Sequence, residues 1–350
     1  MEKWRVIDTG YIGAAENMAL DKTILSAVNE RKSPPTLRFM FFDRPVILVG
    51  YNQNVEDEVK IDFCKEHDIP VNRRITGGGA ILMDRGALGW ELVAPKSALR
   101  GSTVENMYRT LCGGCVNALK SFGIAAEFRP HNDIEINGRK VSGSGGTEEG
   151  DTFLYHGSLL IDFDIEMMLK TLNTPIEKLK DKAVSAFRER MTWLSRECAP
   201  IPDIVSLKKA LINEFSSVLG FDYVCGELSL YEKESYSKNM IEFESEEWIY
   251  RNARESKKQY RSAVYKAAGG CIRVYIITDG RAYISQAVIN GDFFVYPSRL
   301  IQDYESVLKN CRICDIEKKT TEFFENREWA IPGVIPSDFV YAVRMAVGEQ

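Results

Sequence analysis

Three consecutive glycines, Gly77 to Gly79, follow the arginine pair Arg73 and Arg74 and precede a short apolar run. Glycine adopts positive φ angles easily, and a loop of glycines lets a charged ligand lie against backbone N–H groups. Arginine brings a permanent positive charge and forked donors suited to phosphate or carboxylate. The stretch therefore predicts an anion-binding loop, although a lone triple glycine is more often a flexible loop or a tight turn. It matches neither a Walker-type loop nor the G-x-G-x-x-G pattern.

Lys140 is the second candidate for chemistry. It follows Asn137-Gly138, the strongest two-residue signal for a β-hairpin, so we expect it two residues beyond the turn on the return strand. Small residues flank it, and this setting could bring its ammonium group near a bound anion. The alternative is that Lys140 is one of many solvated lysines on an exposed strand.

Three further polar residues lie close to these motifs. Asn132 and Asp133 precede the same hairpin and could orient a sugar hydroxyl or share a Mg²⁺ ion, or could simply begin a strand. His156 is one of three histidines, and it is either a base or a hydrogen-bonded structural residue. No Ser/His/Asp order emerges around these positions.

The chain has eight cysteines and no N-terminal signal sequence, which favours reduced thiols over a disulfide framework. Two C-x-x-C pairs, Cys112/Cys115 and Cys311/Cys314, could together supply four zinc ligands. The first pair lies in a helix-like segment and the second lies far away along the chain. Buried reduced thiols are therefore the favoured interpretation.

Apolar periodicity predicts the elements that must position these residues. Helices are expected at 14–30, 57–67 and 102–123, and a buried hairpin is expected from strands 36–42 and 46–50. A strand should follow the glycine loop at 80–82, and further strands are expected at 133–136, 153–162, 272–277 and 282–289. Hairpins interspersed with helices predict an α+β fold, with mixed or antiparallel sheets flanked by helices, rather than a doubly wound sheet.

Length and composition restrict the class of protein. A chain of 350 residues exceeds one typical domain, so two domains are expected. Apolar residues make up 45% and charged residues 27%, which is typical of a globular protein with a substantial core. The net charge of −5 gives no reason to expect nucleic acid as the main partner. Without a signal peptide or a long apolar run, no membrane association is expected and a cytoplasmic location is predicted.

Taken in order, these motifs resemble those of the lipoate–protein ligase A family, whose catalytic fold is shared with biotin ligases and octanoyltransferases. The resemblance depends on four stretches: residues 73–84 around the glycines, Asn132-Asp133, residues 138–144 around Lys140, and residues 156–160. It extends to residues 15–21 and 50–53, and residues 289–294 are similar to the accessory domain of the family's two-domain ligases. The resemblance covers most of the chain. It implies a biotin/lipoate ligase-like catalytic domain at 1–225 and a small α+β accessory domain at 226–350.

The resemblance implies an ATP-dependent, two-step reaction. ATP and lipoate or octanoate would form an acyl-adenylate and pyrophosphate, and the acyl group would then pass to a specific lysine of a lipoyl carrier domain. The implied carriers are a glycine cleavage H protein or an E2-type subunit of a 2-oxoacid dehydrogenase. Mg²⁺ usually accompanies ATP, and Asp133 is its candidate ligand.

The resemblance also implies the roles of individual residues. Lys140 would be catalytic, because its ammonium group would contact the mixed anhydride and stabilise charge that develops during attack. The implied ATP- and lipoate-binding residues are Arg74, Gly77, Gly78, Gly79, Ala80, Ile81, Leu82, Asn132, Asp133, Ser144, His156 and Gly157.

Two departures from the family pattern bear on substrate and mechanism. Met83 stands where the family commonly has histidine, and Gly89-Trp90-Glu91 replaces small polar residues, so the choice between lipoate and octanoate stays open. The related octanoyltransferases and amidotransferases use a cysteine nucleophile, but the corresponding residues 131–134 include none, and no cysteine lies nearby in the sequence. Without a thiol to carry a thioester, ATP activation is favoured. The alternatives are an octanoyltransferase or lipoyl amidotransferase of the same fold, and a non-catalytic homologue that binds a lipoyl ligand or carrier.

Overall fold

The computed structural model describes residues 3–99, 104–129, 132–173, 188–252, 260–279, 282–297 and 299–348. Parallel and antiparallel strands form mixed sheets, and helices flank these sheets. This architecture confirms the α+β fold class predicted from the sequence.

The strands and helices are numbered separately in chain order. The strands are β1 (Lys3–Ile12), β2 (Thr36–Phe42), β3 (Val46–Val49), β4 (Val71–Arg73), β5 (Ile81–Met83), β6 (Ala87–Pro95), β7 (Ala126–Arg129), β8 (Asp133–Ile136), β9 (Arg139–Glu149), β10 (Thr152–Leu160), β11 (Asp222–Cys225), β12 (Arg261–Ala267), β13 (Gly270–Thr278) and β14 (Ile284–Gly291). The α-helices are α1 (Ala14–Asn29), α2 (Val55–Glu58), α3 (Ile61–Glu66), α4 (Val104–Lys120), α5 (Ile165–Thr171), α6 (Leu194–Glu197), α7 (Ile204–Leu219), α8 (Leu230–Phe243), α9 (Glu246–Ile249), α10 (Leu300–Leu308), α11 (Ile316–Glu325) and α12 (Pro336–Val347). None of the described helices has the length and apolar character needed to cross a bilayer.

The largest sheet has eight strands in the order β11-β1-β2-β6-β10-β9-β8-β7. Successive side chains of a strand point to opposite faces, and β2 is buried on both of its faces. Leu37, Phe39 and Phe41 pack in the core formed with α4 and α7. Helix α1 covers the other face, where its Ile24 packs in a cluster with Val93 of β6. The sheet is thus a central layer between helices.

The prediction that residues 36–42 and 46–50 pair as a hairpin is wrong. β2 pairs in parallel with β1 on one side and antiparallel with β6 on the other, so neither edge is free. β3 lies instead in a separate sheet of order β4-β3-β5. Both segments are fully buried, so their apolar character gives no information about which strands they pair with.

The hairpin predicted at Asn137-Gly138 is confirmed. These residues have φ angles of 53° and 73°, as a two-residue turn with two left-handed positions requires. The turn joins β8 to β9, and Lys140 lies on β9 opposite Glu135. The predicted place of Lys140, two residues beyond the turn on the return strand, is therefore also confirmed.

Residues that follow β11 complete the first core. Glu232 of α8 accepts hydrogen bonds from Nη1 and Nη2 of Arg5 on β1, at 2.6 and 2.5 Å, and both side chains are buried. Nδ2 of Asn72 donates to the carbonyl oxygen of Phe243 at 2.9 Å. The division of the chain at residues 225 and 226 stays a prediction. Because of these contacts, we propose that residues up to 252 be grouped with the first unit.

The remaining described residues, from 260 onwards, form a second unit. Its antiparallel sheet of order β12-β13-β14 packs with α10, α11 and α12 around a core that contains the fully buried Tyr304. Two side chains of β13 reach α2 in the first unit. The hydroxyl of Tyr275 donates to Oδ2 of Asp57 at 2.6 Å, and Arg273 forms an ion pair with Glu58. These polar contacts join the two units.

A buried ionic cluster lies between α1 and the main sheet. The side chain of Arg38 is completely buried, and its Nε donates to Oε1 of Glu91 at 2.6 Å. Its other nitrogens pair with Asp21 and donate to Oδ1 of Asn17 at 3.1 Å. Burial raises the pKa of Asp21 well above its usual range, and the nearby Glu91 raises it further. One guanidinium group therefore stabilises two carboxyl groups inside the protein.

We expect Arg38→Met to lower the free energy of unfolding by about 3–5 kcal/mol, because two buried carboxyl groups would lose their cation. Urea denaturation measures this change. Arg44 forms an exposed ion pair with Asp68, so Arg44→Ala is the control and should change stability little. A loss in Arg38→Met no larger than in the control would contradict the prediction.

Candidate functional site

One cavity of about 250 Å³ lies among the glycine loop, β9, β10, α1 and α5. It brings together every predicted site residue except Asp133, which lies beside it and contacts Lys140. The lining includes the predicted residues Arg74, Gly77, Gly78, Gly79, Ala80, Ile81, Leu82, Asn132, Lys140, Ser144, His156 and Gly157. Their binding and catalytic roles stay predictions.

Arg74 holds the glycine loop in place. Its Nη1 donates to the carbonyl oxygen of Leu48 at 2.6 Å, and its Nη2 donates to that of Gly79 at 2.7 Å. Burial lowers the pKa of Arg74 to about 10, so its guanidinium group is still charged at neutral pH. Its charge thus lies at the cavity while its hydrogen bonds shape the loop.

The expectation that Arg73 offers its donors to a ligand is wrong. Its side chain is completely buried and does not line the cavity. The guanidinium nitrogens donate, at 2.7 to 3.1 Å, to the carbonyl oxygens of Gly50, Tyr51, Gln53, Trp248 and Ile249. Arg73 therefore fastens the segment 50–53 to α9. Sequence spacing could not reveal this, since the acceptors are backbone groups of distant segments.

The two arginines bury positive charge next to the loop. Within the described part of the chain, neither Arg73 nor Arg74 forms an ion pair with a carboxylate, and their hydrogen bonds go to carbonyl oxygens. Burial lowers the pKa of Arg73 to about 9, and the charge of Arg74 contributes to this. Positive charge in a poorly solvated wall attracts anions strongly. The predicted anion-binding character of the loop therefore has an electrostatic cause.

Backbone contacts require glycine in the loop. A Cβ atom on Gly77 would lie 2.8 Å from the carbonyl oxygen of Phe293, and one on Gly50 would lie 2.0 Å from the carbonyl oxygen of Gly78. Gly78 has a φ angle of 93°, which residues with side chains rarely adopt. The loop is thus packed between residues 50–53 and the second unit.

Lys140 faces the cavity from β9. Its Nζ lies 2.7 Å from Oδ1 of Asp133, and its side chain is 35% exposed. Ser144, on the same strand, fastens β9 to the segment before β8, because its Oγ donates to the carbonyl oxygen of Asn132 at 2.9 Å. In return, Nδ2 of Asn132 donates to the carbonyl oxygen of Ser144 at 2.6 Å. The ammonium group therefore has a defined position at the cavity, with a carboxylate beside it. His131, in the same stretch of sequence, lies outside the described residues.

His156 is a neutral, hydrogen-bonded side chain. Its Nε2 lies 3.1 Å from Oγ1 of Thr76, the residue that begins the glycine loop. Burial lowers the pKa of His156 to about 3, and the charges of Arg74 and Arg38 lower it as well. An imidazole that stays neutral at physiological pH can orient the loop through Thr76. This favours the structural alternative over the base considered from the sequence.

The second unit supplies a wall residue that the sequence did not predict. Phe294 lines the cavity, and its ring meets the edge of Tyr108 with 5.8 Å between the ring centres. Although residues 289–294 are part of the family resemblance, their sequence alone does not place them against the glycine loop. The cavity therefore belongs to both units.

Cys112 lies close to the site in space, contrary to what the sequence around residues 131–134 indicated. Its Sγ is 3.7 Å from Oγ of Ser144 and 3.2 Å from the hydroxyl of Tyr155. The side chain is completely buried and does not line the cavity, and burial raises the pKa of its thiol. This cysteine was missed because it lies on α4, which precedes the hairpin and packs beneath it.

The metal alternative gains no support from the described residues. Among them, no group of three or more histidine, cysteine, aspartate or glutamate side chains is arranged to hold a metal ion. Cys112 and Cys115 both lie in the apolar core under the main sheet. Cys112, Cys115 and Cys311 are buried as the favoured interpretation expects, but Cys314 is exposed, so that interpretation is wrong for Cys314.

The chain is similar to known proteins of one family. The model of the lipoyl protein ligase A/B catalytic domain matches residues 13–216. The octanoyltransferase LipM of Clostridioides difficile is 30% identical over an alignment of 267 positions, which covers 71% of this chain and 98% of that protein. The match to nearly the whole of that protein leaves part of this chain without a counterpart in it.

Two solved structures resemble the fold. LipL1 of P. falciparum, solved in complex with lipoate, covers 98% of this chain and 99% of its own, with a TM-score of 0.75 and 22% identity. A lipoate-protein ligase A bound with ATP covers 71% of this chain and 98% of its own, with a TM-score of 0.61 and 26% identity. The similarity to LipL1 concerns the fold alone, and it extends over the second unit of this chain.

The low pKa of His156 predicts a pH dependence of stability. The unfolded chain takes up a proton near the usual value of 6.5, but the folded protein does so only near pH 3. Stability should therefore fall as the pH is lowered from 6.5, by at most about 1.4 kcal/mol per pH unit from this group. Urea denaturation at several pH values should show a shallower slope for His156→Gln. Equal slopes in the original protein and in His156→Gln would contradict the prediction.

Proposed function

The chain belongs to the family of the lipoyl protein ligase A/B catalytic domain, and from the charge of its site we propose that it is an ATP-dependent lipoate–protein ligase, whereas the relative LipM supports the octanoyltransferase considered below. In this proposal the enzyme adenylates lipoate or octanoate and transfers the acyl group to a lysine of a lipoyl carrier domain. Such a domain occurs in glycine cleavage H proteins and E2-type dehydrogenase subunits, as the sequence resemblance implies.

The observation that carries the proposal is the buried guanidinium group of Arg74 in the cavity wall, with the charge of Arg73 behind the wall. Among the described residues, Arg73 and Arg74 donate hydrogen bonds to carbonyl oxygens. The charge of Asp21 raises the pKa of Arg74, but Asp21 pairs with Arg38, so the positive charge at the loop is only partly compensated. A triphosphate brings several negative charges to this wall. A thioester donor is neutral at its reacting carbonyl, and attack on it develops only one negative charge, on the carbonyl oxygen. The electrostatics therefore favour a nucleotide over a thioester.

The first step joins the acid to the nucleotide. A carboxylate oxygen of the acid attacks the α-phosphorus of ATP, and pyrophosphate leaves. The ammonium group of Lys140 stabilises the negative charge that grows on the phosphoryl oxygens, and the loop N–H groups bind the phosphates. Mg²⁺ would accompany ATP, and Asp133 stays its candidate ligand although its carboxylate already contacts Lys140.

The second step modifies the carrier. The neutral amine of the carrier lysine attacks the acyl carbonyl of the adenylate, its surplus proton goes to solvent, and AMP leaves. An acyl-adenylate is easily lost to hydrolysis, so a site that excludes water preserves it. Phe294 and the backbone of Phe293 cover the loop in this way.

The second candidate is an octanoyltransferase that forms a thioester on the enzyme. The name of the relative LipM favours it, and so does the position of Cys112 beside Ser144. In this route a thiolate attacks the octanoyl thioester of a donor, the donor thiol leaves, and the acceptor lysine then takes the acyl group. The complete burial and raised pKa of Cys112 oppose it, because only the thiolate is a good nucleophile.

Pyrophosphate release separates the two candidates. With ATP, lipoate or octanoate and a carrier domain, the ligase releases pyrophosphate and the carrier gains the acyl mass. Cys112→Ser should keep at least half of this activity, because no step uses the thiol. A transferase would release no pyrophosphate, would acylate the carrier only from an octanoyl thioester, and would lose that activity in Cys112→Ser. The second pattern would overturn the proposal.

Lys140→Ala should lower adenylate formation about 10²-fold or more, because the charge that stabilises the transition state is lost. The fold should remain intact, since a partly exposed ion pair contributes at most about 1 kcal/mol. Lys22 is a matched control: its Nζ lies 2.7 Å from Glu149 and its side chain is 38% exposed, but it does not line the cavity. Equal pyrophosphate release by Lys140→Ala and Lys22→Ala would count against the assigned role.

A further inference from the structure

Methionine is concentrated in the wall of the cavity. Five of the ten methionines of the chain line it, namely Met18, Met40, Met83, Met168 and Met191. They come from α1, β2, β5, α5 and the segment before α6, so no single element accounts for their convergence. Four of them are at most 5% exposed, and Met191 is partly buried. We call these five residues the methionine wall.

A glycine on a neighbouring strand provides the space that one of these methionine side chains occupies. A Cβ atom on Gly89 would lie 2.7 Å from Cγ of Met40, so glycine at this position allows Met40 its place in the wall. β5 runs from the glycine loop to Met83, so the wall extends away from the loop and its anion-binding groups. Met18, Met83 and Met168 pack in one apolar cluster with Leu82, Leu160 and Phe163, which also line the cavity. The sulfur of Met40 instead accepts a hydrogen bond from Nη2 of Arg38 at 3.5 Å.

Methionine differs from the other large apolar residues in its adaptability. Its side chain is unbranched, has three rotatable bonds and carries a polarizable sulfur atom, so it fills irregular space and repacks around different shapes. Branched residues such as leucine and isoleucine have fewer accessible rotamers and hold a fixed wall. Five methionines around one cavity therefore let its depth change with its content.

We propose that the methionine wall is the adaptable end of the acyl subsite, and that it makes the protein tolerant of acyl length. This inference rests on the proposed function, because it takes the ligand to be a carboxylic acid with an apolar chain. The wall accepts straight chains of about six to ten carbons as well as the ring-ended lipoyl group. The sulfur atoms of the methionine side chains pack against the bound acyl chain.

The tolerance predicts a graded series of affinities. In an adaptable subsite each added methylene is buried, which strengthens binding about fourfold. A rigid subsite would show this gain only up to the length that fits, followed by a sharp loss. Isothermal titration of the full chain with hexanoate, octanoate, decanoate and lipoate, without ATP or carrier, measures the series directly.

The double variant Met83→Leu/Met168→Leu tests the wall itself. We expect it to lower the ratio of decanoate to hexanoate affinity at least tenfold, because branched side chains of similar size cannot move aside. Met107 is the matched control, since it is 5% exposed like Met83 and Met168 but lies on α4 in the main core, away from the cavity lining. Met107→Leu should keep the original series. Thermal denaturation verifies that both variants fold.

The outcomes distinguish this inference from the proposed function. Decanoate binding more than tenfold weaker than octanoate to the original protein would overturn the inference. Equal losses for all chain lengths in the double variant, or no binding of any of the four acids, would overturn it too. Graded binding of acids without ATP-dependent pyrophosphate release would instead overturn the ligase proposal and leave the acyl subsite in place.

Discussion

The arrangement of the site depends on two guanidinium groups that are buried at the glycine loop and bonded, within the described residues, to carbonyl oxygens. Removing a cation from water without a carboxylate partner is unfavourable, and the lowered pKa values of Arg73 and Arg74, about 9 and 10, reflect this cost. Carbonyl dipoles compensate part of it. An anion at the loop would compensate more, so the groups that shape the loop also make it attractive to phosphate.

The two units of the protein contact each other at the glycine loop. Residues 50–53 pack on one side of it and Phe293 and Phe294 on the other, at distances that leave no space for side chains on Gly50 or Gly77. Arg73 adds a tie from the loop region to α9. A ligand in the cavity therefore contacts parts of the chain that are more than two hundred residues apart in sequence.

The structural features that could be predicted are those that depend on a few neighbouring residues in the sequence. The Asn137-Gly138 turn and the place of Lys140 follow from the φ angles that a two-residue hairpin needs, and both were predicted correctly. The residues gathered around the cavity were identified as a group from the ordered motifs. Which strands pair with one another could not be predicted, because a fully buried strand has the same apolar sequence whichever strand lies beside it. The predicted pairing of β2 with β3 is therefore wrong. Cys112 and Phe294 approach the site only through tertiary packing, which leaves no signal near the motifs.

The bond between Arg5 and Glu232 has a consequence for the order in which the protein is made. Arg5 lies on the first strand of the main sheet, and its partner Glu232 is synthesised more than two hundred residues later. Until then Arg5, Asn72 and Arg73 lack acceptors that they have in the finished protein. The nascent chain must therefore hold its first unit incomplete, with polar groups still hydrated, until α8 and α9 have emerged.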